Sequence, residues 1–72
     1  MGSMTKNQLL GIEAAAANLL ATLVLEQTTE LVKTITTTDY DARTMAFDLY
    51  AASFSIHTVA KRLVLLVESL KE

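Results

Sequence analysis

The second half of the chain carries an apolar heptad repeat that runs without a break from residue 42 to residue 70. Apolar side chains in this stretch alternate spacings of three and four positions. That spacing is typical of one long helix packed lengthwise against other helices. We call these positions the leucine seam: Ala42, Met45, Leu49, Ala52, Ile56, Val59, Leu63, Leu66 and Leu70.

All four aromatic residues of the chain fall on this same helix, on a side that points away from the leucine seam. Three of them recur at intervals of seven, the fourth lies beside them, and an arginine stands at their rim. We call this set the aromatic ridge: Tyr40, Arg43, Phe47, Tyr50 and Phe54. A helix with two apolar sides needs more than one neighbour, so the sequence predicts assembly. The ridge is interpreted either as dimer core or as a docking site for another protein.

Length and composition also favour assembly. A chain of 72 residues makes one small domain that buries only about 60% of the surface it exposes when unfolded. No cysteine is present to form a stabilising disulfide or to act as a nucleophile. Half of the residues are apolar, 6% are aromatic and proline is absent, which is the composition of a helical bundle.

Two helices and one turn account for the sequence. Thr5 with Gln8 three residues later matches a capping box, so helix one is expected over about 5–36. Helix two is expected over about 41–70, after a turn near 37–40 that contains neither glycine nor proline. Residues 1–4 resemble a cloning remnant or a disordered start, and 5–72 form a single domain.

The cap of helix two has three candidate residues. Thr38 with Asp41 would form a capping box, and Asp39 or Asp41 could cap directly. The β-branched stretch before them weakens the end of helix one, and we interpret it as a fraying helix end.

A short connection makes the two helices antiparallel neighbours, with facing residues whose numbers sum to about 77. On helix one, the large apolar residues are expected to face the core, whereas Gly11 and Asn18 mark the opposite side. On helix two, a small-residue stripe flanks the leucine seam and suits a second close contact: Ala46, Ser53, Ala60 and Val67. The predicted fold is an all-α antiparallel two-helix hairpin that pairs into a dimeric four-helix bundle.

Catalytic and metal-binding patterns are weak. His57 is the only histidine, and in the predicted hairpin no carboxylate lies close to it, so a structural role is the simpler interpretation. Glu26 and Glu30 lie four apart but belong to no E-x-x-H set, and they are interpreted as a solvated face. Asp39 and Asp41 are explained by capping. The serines of helix two have no neighbouring base, so we predict no enzymatic activity, no metal and no cofactor.

The charge pattern does not favour nucleic acid or membrane as a partner. The formal net charge is −2, and the six cations are scattered along the chain. Lys61 and Arg62 form the only basic doublet, which with Lys71 could touch a phosphate backbone across a dimer. The apolar stretch from Leu9 to Leu25 is interrupted by polar residues, so a membrane span is not predicted. A cytoplasmic location follows as an expectation.

The sequence therefore predicts a non-enzymatic interaction module. The chain is expected to associate with itself through the leucine seam and to act as an adaptor, inhibitor or regulatory subunit. Its size suits a small bacterial or phage accessory protein, by analogy alone. The alternative is a helical-hairpin dimer that binds nucleic acid. The sequence resembles no family closely enough to name one.

Overall fold

The computed structural model describes residues 5–70, which form two antiparallel helices. Helix α1 spans Lys6–Thr34 and helix α2 spans Tyr40–Glu68. The two helices pack against each other along their length, which confirms the predicted all-helical hairpin. The proposed remnant at residues 1–4 and the cation Lys71 lie outside the described residues.

Both helix starts are fixed by side-chain caps. At α1, the Gln8 backbone N–H donates to Thr5 Oγ1 at 3.1 Å, and the Thr5 N–H donates to Gln8 Oε1 at 2.9 Å. This is the capping box that the sequence predicted. At α2, Asp39 is the cap, since its Oδ1 accepts from the Ala42 N–H at 2.8 Å.

The connection occupies residues 35–39, slightly earlier than the predicted turn. Helix α1 stops at Thr34, and Ile35 already has an extended backbone. The run of β-branched residues here loses side-chain freedom in a helix, so the helix ends two residues sooner than expected. Within the connection, the Asp39 N–H donates to Thr37 Oγ1 at 3.1 Å, which holds the capping residue in place.

Small side chains form the contact between the two helices. The buried residues recur at intervals of seven on α1 and of seven and fourteen on α2, and none of them is larger than valine. They are Ala14, Ala21 and Thr28 on α1 and Ala46, Ser53 and Val67 on α2. We call this contact the small-residue interface. Because its side chains are short, the two helices can approach closely along their whole length.

The register of the hairpin follows from one close approach. A Cβ placed at Gly11 would lie 3.8 Å from Cγ1 of Val67, so facing positions have numbers that sum to 78. The predicted sum of about 77 is correct within one residue. Gly11 itself is half-buried, and so are Asn18 and His57, which lie between the buried positions of their helices.

The predicted sides of α1 are wrong. Gly11 and Asn18 were expected to face away from α2, yet both are half-buried at the small-residue interface. Leu19 and Leu23, expected in the core, are exposed. Hydrophobicity alone predicted the wrong side of α1, because the contact with α2 is formed by short side chains rather than by the most apolar ones.

Polar groups inside the interface are mostly satisfied by their own helices. The Thr28 hydroxyl donates to the Val24 carbonyl at 2.9 Å, and the Ser53 hydroxyl donates to the Leu49 carbonyl at 2.7 Å. Among the described residues, Asn18 Oδ1 is the one buried side-chain polar atom without a partner. Thr28 and Ser53 are therefore small residues whose hydroxyl groups are hydrogen-bonded within their own helix, so they permit close packing.

Candidate functional site

The leucine seam is exposed along the hairpin. It takes no part in the small-residue interface, and Met45, Ile56 and Leu66 expose 70%, 60% and 65% of their surface. Large apolar side chains this exposed contribute little to the stability of an isolated hairpin. The seam is therefore free to contact something other than α1.

Helix α1 adds a second row of apolar side chains beside the seam. A shallow groove of about 300 Å³ runs between the helices and is lined by Leu20 and Val24 from α1 and by Ile56 from α2. A second groove, of about 570 Å³, continues toward the connection between Leu31 and the seam residues Met45 and Leu49. Leu10 lies on the same side of α1, because residues seven and fourteen positions further along line the first groove.

These two rows make one continuous surface, which we call the apolar face. It combines the leucine seam with Leu10, Ala17, Leu20, Val24 and Leu31. Glu13 and Gln27 share this face, since each lies seven residues from Leu20, two helical turns away. Two of the described residues at the helical positions that form the face carry a charge: Lys6 at the start of α1 and Glu13 seven residues later. Asp48 borders the groove near the connection.

The aromatic ridge lies on the other side of the hairpin. Tyr40, Arg43 and Phe47 line a groove of about 400 Å³ near the connection. Tyr40 is 79% exposed, and Phe47 and Phe54 are about half exposed. Tyr50 differs from the other ridge residues, because it is half-buried at a position continuous with the small-residue interface. The exposed part of the ridge is therefore Tyr40, Arg43, Phe47 and Phe54.

His57 lies among cations on that second side. It lines a groove of about 340 Å³ with Phe54, Lys61, Arg62 and other residues of α2. No carboxylate lines this groove. Within the described part of the chain, His57 takes part in no ion pair.

Carboxylates elsewhere are exposed and dispersed. Glu30 forms an ion pair with Lys33 at 3.8 Å, in which both side chains are about two-thirds exposed. Asp39 is occupied as the cap of α2. Within residues 5–70, no three His, Asp or Glu side chains lie close enough together to hold a metal ion.

By length and composition, α1 is also apolar enough to cross a membrane. Only a small fraction of its most apolar stretch is buried against α2, so the packing of the hairpin does not account for this apolar character. A core helix of a soluble assembly and a membrane helix both have these properties.

Sequence reasoning found the leucine seam but missed the part of the apolar face that belongs to α1. Leu20, Val24 and Leu31 were assigned with other apolar residues to a single broad core side, and Leu10 was not assigned to any side. A finer signal was available: the heptad of small or polar residues at Gly11, Ala14, Asn18 and Ala21 marks the contact side of α1, and the face lies next to it.

Comparison with known proteins adds no relative, because no protein-family model, no curated protein and no solved structure matches this chain.

Proposed function

We propose that this chain is a non-enzymatic protein-interaction module that associates with itself through the apolar face. The observation that carries the proposal is an exposed seam of nine heptad positions without a charged residue. On a protein surface, an uncharged apolar strip of this length marks an interaction site.

The exposed area supports the same proposal. The chain exposes 5759 Å² at a mass of 7.8 kDa, whereas a globular monomer of that mass exposes roughly 4,400 Å². The excess of about 1,400 Å² per chain exceeds the roughly 800 Å² that each partner buries in a standard interface. A second copy laid on the apolar face would remove much of this excess and give each hairpin the large-residue core that it lacks.

The biological role of such an assembly would be to occupy the surface of a partner. The exposed part of the aromatic ridge stays free on the outside of the proposed dimer, and aromatic and arginine side chains are the usual anchors of protein interfaces. An adaptor, inhibitor or regulatory subunit would use the ridge in this way.

Two neighbouring leucines give a matched test of self-association. Leu65 and Leu66 are each 65% exposed, but Leu66 belongs to the apolar face and Leu65 lines the groove with His57 on the other side. We expect Leu66→Glu to shift the protein to monomer, because it buries a charge in the apolar contact. Leu65→Glu should leave the dimer intact. Analytical ultracentrifugation over a micromolar concentration range measures both.

The same experiment has outcomes that would overturn the proposal. A folded wild-type monomer at every concentration would contradict it, and so would equal effects of the two substitutions. Protein that stays in solution only with detergent and co-floats with lipid vesicles would instead identify α1 as a membrane helix.

Nucleic-acid binding is the second candidate, favoured by the cations Lys61 and Arg62 beside Phe54 in one groove. Cations that contact phosphates together with an aromatic ring that can stack on a base are typical of single-strand binding. The test is a gel shift with single-stranded RNA and DNA at low and moderate salt, because phosphate contacts weaken steeply as salt rises. Absence of a shift at low salt would remove this candidate.

A further inference from the structure

We infer that the second copy lies antiparallel on the apolar face, so that Glu13 of each chain meets Gln27 of the other. This inference rests on the proposed self-association and adds the orientation of the partner and the polar contacts that set it. The argument starts from Glu13 and Gln27, the polar side chains on either side of the middle of the α1 part of the face.

Glu13 and Gln27 are placed symmetrically on α1. The helix spans Lys6–Thr34, so its midpoint is Leu20, and Glu13 and Gln27 lie seven residues to either side. Both side chains are exposed in the single hairpin. A carboxylate that becomes covered by a partner must find a hydrogen-bond donor there, or its burial opposes association.

An antiparallel second copy supplies that donor. A two-fold axis across the hairpin beside Leu20 sets α1 against α1 of the partner with complete overlap. Position 13 then faces position 27 of the other chain, and the Gln27 amide can donate to the Glu13 carboxylate. The symmetry forms this contact twice.

The leucine seam fits the same axis. In the hairpin register, position 20 of α1 is level with position 58 of α2. Seam positions whose numbers sum to about 116 therefore face each other, within one residue, across the two-fold axis. Leu49 meets Leu66, Ala52 meets Leu63, and Ile56 meets Val59. Each pair joins seam residues, and one of them sets a small residue against a large one.

A parallel second copy fits less well. With the two-fold axis along the hairpin, α1 would lie against α2 of the partner, and Glu13 would face the level of Leu63 and Leu66. The carboxylate would then be covered by leucine side chains without a donor, at the same level as the identical carboxylate of the other chain. Both effects oppose association.

A spin-label distance tests the orientation without disturbing the face. The chain has no cysteine, so Thr36→Cys introduces one labelling site in the exposed connection. In the antiparallel dimer the two labels lie at opposite ends of a rod whose longest dimension is 58 Å. In a parallel dimer they would lie across two helix layers, about 10 Å apart at the backbone. A long distance by double electron–electron resonance is expected.

A charge exchange tests the specific contact. Gln27→Glu sets two carboxylates against each other at both contacts and should weaken the dimer at least about tenfold. Adding Glu13→Lys to that variant should restore the dimer, because each new lysine meets the new glutamate of the other chain. The matched control is Glu26→Gln, at an exposed position outside the face, which should leave the dimer unchanged.

The outcomes separate this inference from the proposed function. The antiparallel orientation is overturned if the two labels of the dimer lie a short distance apart, or if adding Glu13→Lys to Gln27→Glu does not restore the dimer affinity. Either result leaves self-association standing. A protein that is monomeric without any substitution overturns both.

Discussion

At the residue scale, small size matters more than hydrophobicity in holding the two helices together. The buried positions of the hairpin are alanine, serine, threonine and one valine, and the serine and threonine hydroxyls bond to their own helix. Such residues contribute little apolar area each, but they permit close approach and many short-range contacts. The stability of the interface should therefore depend on volume at its positions.

Enlarging one interface residue tests this dependence. Ala21 is 7% exposed, and Ala21→Leu would force a branched side chain between the helices. Overpacking of this kind costs about 1–3 kcal/mol of unfolding free energy. Urea denaturation should show that loss for Ala21→Leu, whereas Ala16→Leu at an exposed position of the same helix should be close to neutral. Equal stability of the two variants would show that α1 packs on another side.

The cap of α2 gives a second prediction at this scale. Asp39 Oδ1 accepts the Ala42 N–H, and Asp39→Ala removes this bond from a helix start that has no proline or glycine to define it. We expect a loss of about 1 kcal/mol in unfolding free energy. Asp48→Ala, on the exposed surface of the same helix, is the control. An unchanged urea midpoint for Asp39→Ala would contradict the capping role.

At the scale of elements, α2 presents three separate surfaces on one helix. Its small-residue stripe packs on α1, its leucine seam forms half of the apolar face, and the exposed ridge residues point away from both. Three separate surfaces on one helix mean that substitutions at each should have separable effects.

The aromatic ridge is where this separability can be measured. We expect the double variant Phe47→Ser and Phe54→Ser to keep its helicity and its self-association, because both rings lie outside the proposed dimer contact. Circular dichroism and ultracentrifugation check the two properties. Joint loss of dimer and helicity would place the ridge in the dimer core instead. A pull-down that loses a partner while the dimer persists would support a docking role.

At the scale of the whole molecule, the hairpin is a rod without a large-residue core. It measures 58 × 21 × 15 Å, and no large side chain among the described residues is fully buried. A structure with so little buried apolar area is marginally stable alone. Its stability should therefore depend on protein concentration, as in obligate dimers.

A substitution at Leu63 tests whether the dependence of stability on protein concentration arises from the leucine seam. In the proposed dimer Leu63 is buried, and Leu63→Ala should cost on the order of 2–5 kcal/mol. The melting temperature should fall sharply and should rise again with protein concentration. In an isolated hairpin Leu63 is 43% exposed, so the same substitution would then have a small effect. A melting temperature that changes neither with the substitution nor with the protein concentration would contradict the burial of Leu63 in a dimer.

The sequence by itself determined the local structure of this protein. Helical periodicity, the Thr5–Gln8 capping box and a carboxylate cap before α2 are set by residues within a few positions of each other, so they could be predicted without a fold. The placement of the ridge on a different side of α2 from the leucine seam was also predictable, since it follows from the spacing of the aromatic and seam residues along one helix.

Only the tertiary structure decided which stripe of each helix packs inside the hairpin. Helix α2 carries two heptad stripes, the leucine seam and the small-residue stripe, and periodicity cannot rank them. The small stripe packs on α1 because α1 presents a matching row of short side chains at Ala14, Ala21 and Thr28. Short side chains on both helices allow the axes to approach closely, which leaves the leucines at the outer edge as the apolar face.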